Sequence, residues 1–393
     1  MIREAFKLID QNEVIKVVKD LVSINSVMPP HNVEKEIGNY VLDYMKSKGV
    51  ESEIQQVAPE RFNVICKLKG EKKNPAIIFT GHMDTVPVSE DETKLWNTDP
   101  FRGEIINGNL YGRGSTDMKG GLGSAMVALG TLSEHGIVPP NDIILVATVD
   151  EETIMLGSKK LINTHFIKNA KKMVVCEPTN LELHPVCRGR TWAEIKLKGK
   201  TAHASVPKEG INAIDKAVTF INRLNEYKIP HDKHELLGNS FWNVTEIKGG
   251  LGPAIIPDEC TITLDVRLVP GQTSQDIWLQ VGKILDELRE EVQDFDSSIE
   301  IIETRDPWET PVNDSIVTTM EKSMKNIDLP ILYGGFLGTT DGTELRKSGT
   351  GIDTVIFGPG RVELAHKENE YVSIHQLVEA AKVYIETMVS FEE

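Results

Sequence analysis

Cysteine is scarce in this chain. Its four thiols, Cys66, Cys176, Cys187 and Cys260, are scattered through 393 residues without a CxxC pair. That spacing excludes a disulfide framework and a zinc knuckle, and it fits buried free thiols in a reducing compartment, with the cytoplasm favoured. Basic residues are outnumbered: 43 Lys and Arg face 59 Asp and Glu, for a net charge of −16. No basic stripe relieves the deficit, so a nucleic-acid partner is excluded and the acidic surface reads as an aid to solubility. Long apolar runs are missing too, which leaves no candidate membrane span. The opening residues, Met1-Ile2-Arg3-Glu4-Ala5, lack the charged-then-apolar pattern of a signal peptide. Repeats and low-complexity tracts are absent as well.

What is present is an ordinary globular composition, 40% hydrophobic and 26% charged. The length exceeds what one hydrophobic core normally serves, so two domains are expected. Val14, Val17, Val18 and Leu21, then Val41, Leu42 and Met45, recur at helical spacing on either side of Pro29-Pro30. The runs Ala76–Thr80, Ile143–Val149, Met173–Cys176 and Thr354–Phe357 are apolar and rich in β-branched residues without alternation, as strands covered on both faces are. Met118–Glu134, rich in Gly, Ala, Leu and Met, reads as a buried helix packed close to the sheet, and Ser158–Asn163 as another. Strands alternating with helices make an α/β unit.

Past Cys187 the texture changes. Trp192–Lys198 and Thr261–Leu268 alternate apolar and polar residues, the pattern of strands with one wet face. Helical stretches, Ile211–Leu224 and Gln275–Val292, follow each of them. This is an α+β layer with one sheet face covered by two helices, and its two strands are expected to offer an edge for pairing. The return of the first texture at Thr354 makes it an insertion. The expected boundaries are a discontinuous domain of residues 1–185 and 306–393, interrupted by residues 186–305.

The chemistry gathers just beyond the apolar runs. Gly81-His82-Met83-Asp84, Asp150-Glu151-Glu152, Cys176-Glu177 and Leu364-Ala365-His366 each follow one, and Asp117 sits in the turn Gly112-Arg113-Gly114-Ser115-Thr116-Asp117. Ligands of open α/β sheets bind beyond the carboxyl ends of the strands, so these residues point to a hydrolytic metal site. His82 and Asp84, two apart on an extended segment, suit a metal-binding imidazole whose ring a carboxylate orients. Glu151 and Glu152 repel one another unless a cation takes one and leaves the other as a general base. Each piece also has a plainer reading: a capped loop histidine, or a solvated acidic turn at a helix start. The glycine turn is neither a P-loop nor a dinucleotide fingerprint, since Asp117 stands where the third glycine belongs.

At these residues the chain resembles the M20 family of metallopeptidases and amidohydrolases, which includes acetylornithine deacetylase, succinyl-diaminopimelate desuccinylase, aminoacylase and glutamate carboxypeptidase. The resemblance spans nearly the whole chain. It is carried by Gly81–Pro87, Gly112–Gly121, Asp150-Glu151-Glu152, Cys176-Glu177-Pro178-Thr179, Lys198–Ser205 and Gly358-Pro359-Gly360. It implies an α/β, zinc-peptidase-like catalytic domain with a mostly parallel central sheet, and makes the insertion a lid and dimerisation domain. It implies two divalent metal ions, zinc foremost with cobalt or manganese as alternatives, bridged by Asp117. His82 and Glu177 would bind the first ion, and Glu152 and His366 the second. Glu151 would be the general base, Asp84 the partner of His82, and His203 the lid histidine that stabilises an oxyanion, often across a dimer. Arg267 resembles the arginine that grips a substrate carboxylate, and Asn243 and Gly338–Gly342 match substrate-contact segments less closely. A cis bond is implied after Asp117. Read from the residues alone, the plainer alternative makes His203 a lid-surface histidine and Arg267 a strand arginine paired with Asp265.

The expected activity is metal-dependent cleavage of an amide bond in a small N-acyl amino acid, of the deacetylase or desuccinylase kind, by a homodimer. Arg188, placed where desuccinylase-like members carry a basic residue, hints at an acidic acyl group. A dipeptidase or carboxypeptidase acting on short peptides is the alternative within enzymes. A binding scaffold that has lost catalysis is the alternative outside them, although no ligand position nor Glu151 is missing.

Overall fold

The computed structural model describes residues 4–27, 34–72, 76–229 and 233–392. The chain divides into two compact units, one of residues 1–185, 309–336 and 340–393 and the other of residues 186–308 and 337–339. Among the described residues no helix is long and apolar enough to cross a membrane.

The first unit is built on strands β1 (Glu51–Ala58), β2 (Arg61–Leu68), β3 (Ala76–His82), β4 (Ile143–Thr148) and β5 (Ala170–Val175). After the second unit β10 (Asp353–Ile356) completes a six-stranded sheet in the order β1-β2-β4-β3-β5-β10. β4, β3, β5 and β10 run parallel, whereas β1 and β2 are antiparallel additions at one edge. Every residue of β3 and β4 is buried, which explains why neither alternates. Helices α1 (Gln11–Ser23), α2 (Glu34–Ser47), α3 (Gly120–Glu134) and α6 (Ile374–Ser390) supply the apolar faces that share its core. Asp10 caps α1 by accepting from the Asn12 amide. The Pro29-Pro30 separation lies outside the described residues. The helix expected over Ser158–Asn163 runs from Leu156 to Leu161.

α3 lies against the sheet closely enough to need glycine. A Cβ on Gly121 would stand 1.8 Å from the Cys176 carbonyl oxygen. Its helical run begins at Gly120 rather than Met118, because Asp117 and Met118 have non-helical dihedrals. On α6, Tyr384 meets the rings of Phe79 and Phe357 edge-on at 5.6 and 5.9 Å, and its hydroxyl donates to the Phe357 carbonyl at 2.6 Å. Each such fully buried side chain contributes roughly 1.5–3 kcal/mol to stability.

The second unit is a four-stranded antiparallel sheet with two helices on one face. Its strands are β6 (Gly189–Lys198), β7 (Phe241–Gly249), β8 (Glu259–Leu268) and β9 (Asp296–Arg305), in the order β7-β8-β6-β9. α4 (Ala213–Glu226) and α5 (Ser274–Glu291) cover the inward residues, so that Phe220 and Ile284 share a cluster with Ile195 and Leu264. The two strands legible by alternation, β6 and β8, are the inner pair. Neither offers an edge, which corrects the expectation that they would; the edges are β7 and β9. Alternation is cleanest in inner strands because one face is dry along their whole length.

Candidate active site

Parallel strands end on the same side of a sheet, so whatever follows them converges. His82 closes β3 and stands level with Thr148 at the end of β4, while Thr80 is level with Val175 at the end of β5. The turn Asp150-Glu151-Glu152 and Glu177 therefore emerge beside His82. Asp117 arrives from the glycine turn before α3, with the Asp117–Met118 bond in cis. His366 arrives from the loop after β10 and has a left-handed backbone, with φ of 62°.

Asp117 stands between two imidazoles. Its Oδ1 lies 3.0 Å from His82 Nε2 and its Oδ2 lies 3.3 Å from His366 Nε2. Glu177 approaches the His82 ring at 3.8 Å, and Glu152 the His366 ring at 3.1 Å. His82, Asp117 and Glu152 offer ligand atoms that all lie within 4.8 Å of one another. The donor set, imidazole nitrogen with carboxylate oxygen, is one that zinc, cobalt and manganese accept. The residues fit divalent cations, because Asp84, Asp117, Glu151, Glu152 and Glu177 outweigh two imidazoles, with His82 buried and His366 on the open side of the site.

The electrostatics show the same excess. Burial disfavours a charged His82, yet Asp117, Glu177 and Asp84 outweigh burial and hold its imidazolium well above the usual range. Burial would raise Asp117, but its bonds to His366 and His82 bring it well below the ordinary carboxylate value. Glu177 is pushed well up, first by burial and then by Asp117. His366, bonded to Asp117 and Glu152, is raised to about 10.

Around these residues the backbone supplies orientation. His82 Nδ1 is 2.9 Å from the Asp84 carbonyl oxygen, which only accepts, so Nδ1 carries the proton and Nε2 faces the acids. The Asp84 carboxylate stands 3.7 Å from that ring and accepts the Glu151 and Glu152 amides at 3.1 Å each. Its backbone thus orients the ring, while its side chain anchors the acidic turn. Burial pushes the Asp84 carboxyl up to about 7 despite the opposing pull of His82.

Further residues outside the expected site support it. Arg61, at the start of β2, is bonded to both oxygens of Glu34 and donates to Asp150 at 2.6 Å. Glu34 also accepts the Asp150 amide at 3.0 Å, so the pair holds the acidic turn in its left-handed geometry. Glu370 accepts the amides of Thr116 and Asp117 at 2.9 and 3.2 Å and pairs with buried Arg113 at 2.9 Å. Its four-residue separation from His366 was the one available hint. Asp341, in the less exactly matching Gly338–Gly342 segment, is bound by the hydroxyls of Thr148 and Ser158.

The remaining expected site residues belong to the second unit. His203 is exposed, on a short strand paired with Ile255–Ile256, and its Nδ1 lies 2.8 Å from the Ser205 hydroxyl. Arg267 bonds through Nε to both oxygens of Asp265, at 2.9 and 3.2 Å, and Asn243 stands opposite Asp265 on β7. Arg188 donates to the backbone carbonyls of Leu237 and Asn239.

Comparison with known proteins gives the family and the fold. The pattern of peptidase family M20/M25/M40 matches residues 78–390. A probable succinyl-diaminopimelate desuccinylase of Staphylococcus aureus is 27% identical over 97% of this chain and 98% of its own. An uncharacterized metallohydrolase of Methanocaldococcus jannaschii is 30% identical over 96% and 98%. Among solved structures, the aminopeptidase PepT of Bacillus cereus shares the fold at a TM-score of 0.79 and 22% identity, over 98% of this chain and all of that one. The chain belongs to peptidase family M20/M25/M40 and is a metallohydrolase of amide bonds.

Proposed function

We propose that the chain releases the acyl group of a small N-acyl amino acid, in the manner of a deacetylase or desuccinylase. The observation that carries this reading is Asp117, whose two oxygens face His82 and His366 from opposite sides. His82 and Glu177 would complete one cation site with Asp117, and Glu152 and His366 a second. Zinc is the proposed ion, with cobalt or manganese able to replace it. Such ions, when bound, polarise a carbonyl and acidify water. Glu151 accepts the proton of the attacking water and returns it to the leaving nitrogen, so that an amine and a carboxylate are released. Asp84 positions Glu151 through the amide bond it accepts. His203 donates to the developing oxyanion, and Arg267, Asn243 and Arg188 contact substrate.

Residues 186–305 act as lid and dimerisation domain in this reading, and residues 1–185 with 306–393 as the catalytic domain. The four free cysteines, all buried, support a reducing compartment and hence the cytoplasm. The test is purified, metal-loaded protein assayed against matched panels of N-acyl amino acids and dipeptides. Chelation should abolish hydrolysis, and Zn, Co or Mn should restore it. Activity that survived exhaustive chelation, with no metal found by elemental analysis, would end the proposal; turnover of dipeptides alone would replace deacylation by peptidase action.

A further inference from the structure

The loop that carries His366 takes its shape from outside itself. His366 has the most exposed side chain of the five proposed ligands, half open to solvent where the other four are largely closed. Its backbone is left-handed, with φ of 62°, and that of Asn369 is too, with φ of 58°. Asparagine tolerates this region better than histidine does, because its short polar side chain bonds locally. A left-handed non-glycine residue persists where its surroundings over-determine it. Three bonds supply that determination. Arg113 Nη1 donates to the Lys367 carbonyl at 3.2 Å. The Asn369 side chain accepts the Asn97 amide at 2.7 Å and donates to the Leu95 carbonyl at 3.0 Å.

Arg113 ties this loop to the turn that carries Asp117. Its Nη1 also donates to Glu370 at 2.9 Å, and the other oxygen of Glu370 accepts the Thr116 and Asp117 amides at 2.9 and 3.2 Å. From the opposite end of the fork, Nη2 donates to Glu92. Glu92 in turn accepts from the Trp96 indole at 3.4 Å, and the guanidinium lies 5.6 Å from the centre of that ring. The arginine is buried, only 1% exposed. A planar guanidinium can serve acceptors on two sides at once, which the single ammonium of a lysine cannot do. Residues 92–97 therefore grip both Arg113 and Asn369, and through them the His366 loop. His82 is oriented separately, by the Asp84 carbonyl, and Glu177 follows the end of β5.

We propose that Arg113 is a positioning residue for the second cation site. It fixes Asp117 through Glu370 and His366 through the Lys367 carbonyl, and residues 92–97 are the strap that keeps its fork in place. The inference rests on the two-cation reading and adds an unequal dependence to it. The site of Glu152 and His366 draws two of its three ligands from segments that Arg113 holds. The site of His82 and Glu177 shares only Asp117 with it. Groups that orient a ligand without touching the ion typically account for about 10–100-fold in metal affinity. Loss of Arg113 should therefore weaken one site far more than the other.

The experiment counts bound metal. The full chain, loaded with zinc, is dialysed against graded zinc buffers, and the ions retained are measured by elemental analysis. The wild type should release two ions in two steps, one of which Glu152→Ala abolishes. Arg113→Met should move that same step about 10–100-fold toward higher zinc, and the other step much less. Arg113→Lys, which keeps the charge and loses the fork, should recover part of the shift. Asn369→Gly keeps the left-handed backbone and removes the two strap bonds, so it should move the same step in the same direction. Lys172→Met is the control for general destabilisation. It removes a buried cation paired with Asp314 and Asp353, at 2.7 and 2.9 Å, and should leave both steps in place. An unmoved step in folded Arg113→Met, checked by circular dichroism, would overturn the proposal. If that variant did not fold, an unmoved step in Asn369→Gly would overturn it equally. An equal shift in Lys172→Met would reduce the effect to lost stability and overturn it too. A wild type that held a single ion would remove the two-cation reading and the inference together, whereas two ions in an unaltered variant would remove the inference alone.

Discussion

Arg61 donates from Nη2 to Asp150 Oδ1 at 2.6 Å, with both side chains almost closed to solvent. The same guanidinium holds Glu34, which in turn accepts the Asp150 amide at 3.0 Å. A residue at the start of β2 thereby sets the turn that presents Glu151. Arg61→Met would leave two buried carboxylates facing each other without their cation. Breaking a buried pair in this way costs about 3–5 kcal/mol, which denaturant unfolding should register. Arg61→Lys should recover stability only in part, since a single ammonium cannot span both acids with parallel bonds. Turnover in both variants should fall further than metal content does, because the general base and not the ligands is displaced.

Glu151 and Glu152 are neighbours with separate tasks in the proposed mechanism. Asp84 holds the amides of both, but it is the Glu152 carboxylate that lies 3.1 Å from His366. Glu151→Ala should therefore keep both metals and lose about 10²–10⁴-fold in kcat, the usual worth of a positioned base. Glu152→Ala should lose occupancy of one metal site. Elemental analysis beside steady-state kinetics separates the two, and normal metal content in both variants would refute the division of roles.

How far these relationships could be read in advance depends on their range. His82, Glu151, Glu152 and Glu177 were legible because parallel strands collect functional groups at their carboxyl ends, and each residue follows a recognisable apolar run. Glu34 and Arg61 were not, since no local spacing joins a helix start and a strand start to a turn near residue 150. The inserted sheet divides in the same way. β6 and β8 announce themselves by alternation, but β9 carries exposed Ile301 and Ile302 side by side, and β7 exposes Phe241 and Ile247. An edge strand has no fully dry face along its length, so the period-2 signal fades.

Acid should weaken the fold through His184. Its imidazole packs so tightly on Gly334 that a Cβ there would stand 2.2 Å from Nε2, and burial lowers its pKa to about 4. In the unfolded chain the same group titrates near 6.5. Between those values the unfolded state binds more protons, so stability from this group is fully present above about pH 6.5 and is lost as pH falls toward 4. That difference is worth at most about 3.4 kcal/mol. His184→Leu should flatten this part of the stability profile relative to the wild type. Parallel profiles from chemical denaturation at pH 7, 6, 5 and 4 would show that His184 takes no part.

His203 offers the sharpest test of the proposed assembly. It stands exposed on a two-residue strand, with its ring bonded to Ser205, and lies far in sequence from every proposed ligand. A twofold dimer through the inserted unit would let it act on the partner's substrate, and the inner position of β6 and β8 assigns the pairing to an outer strand. β7 is the better suited, because Phe241 and Ile247 on it, and Leu251 and Ile255 beyond it, are all exposed, Leu251 by 78%. Pairing there would satisfy open backbone groups and cover apolar side chains together. His203→Ala should lower kcat while leaving metal content intact. Mixing it with Glu151→Ala under conditions of subunit exchange should restore activity, since one of the two sites in each mixed dimer regains a full set of residues. At equal concentrations half of the dimers are mixed, so about a quarter of the wild-type rate is expected. No recovery, with exchange verified by native mass spectrometry, would place His203 in the service of its own subunit or of none.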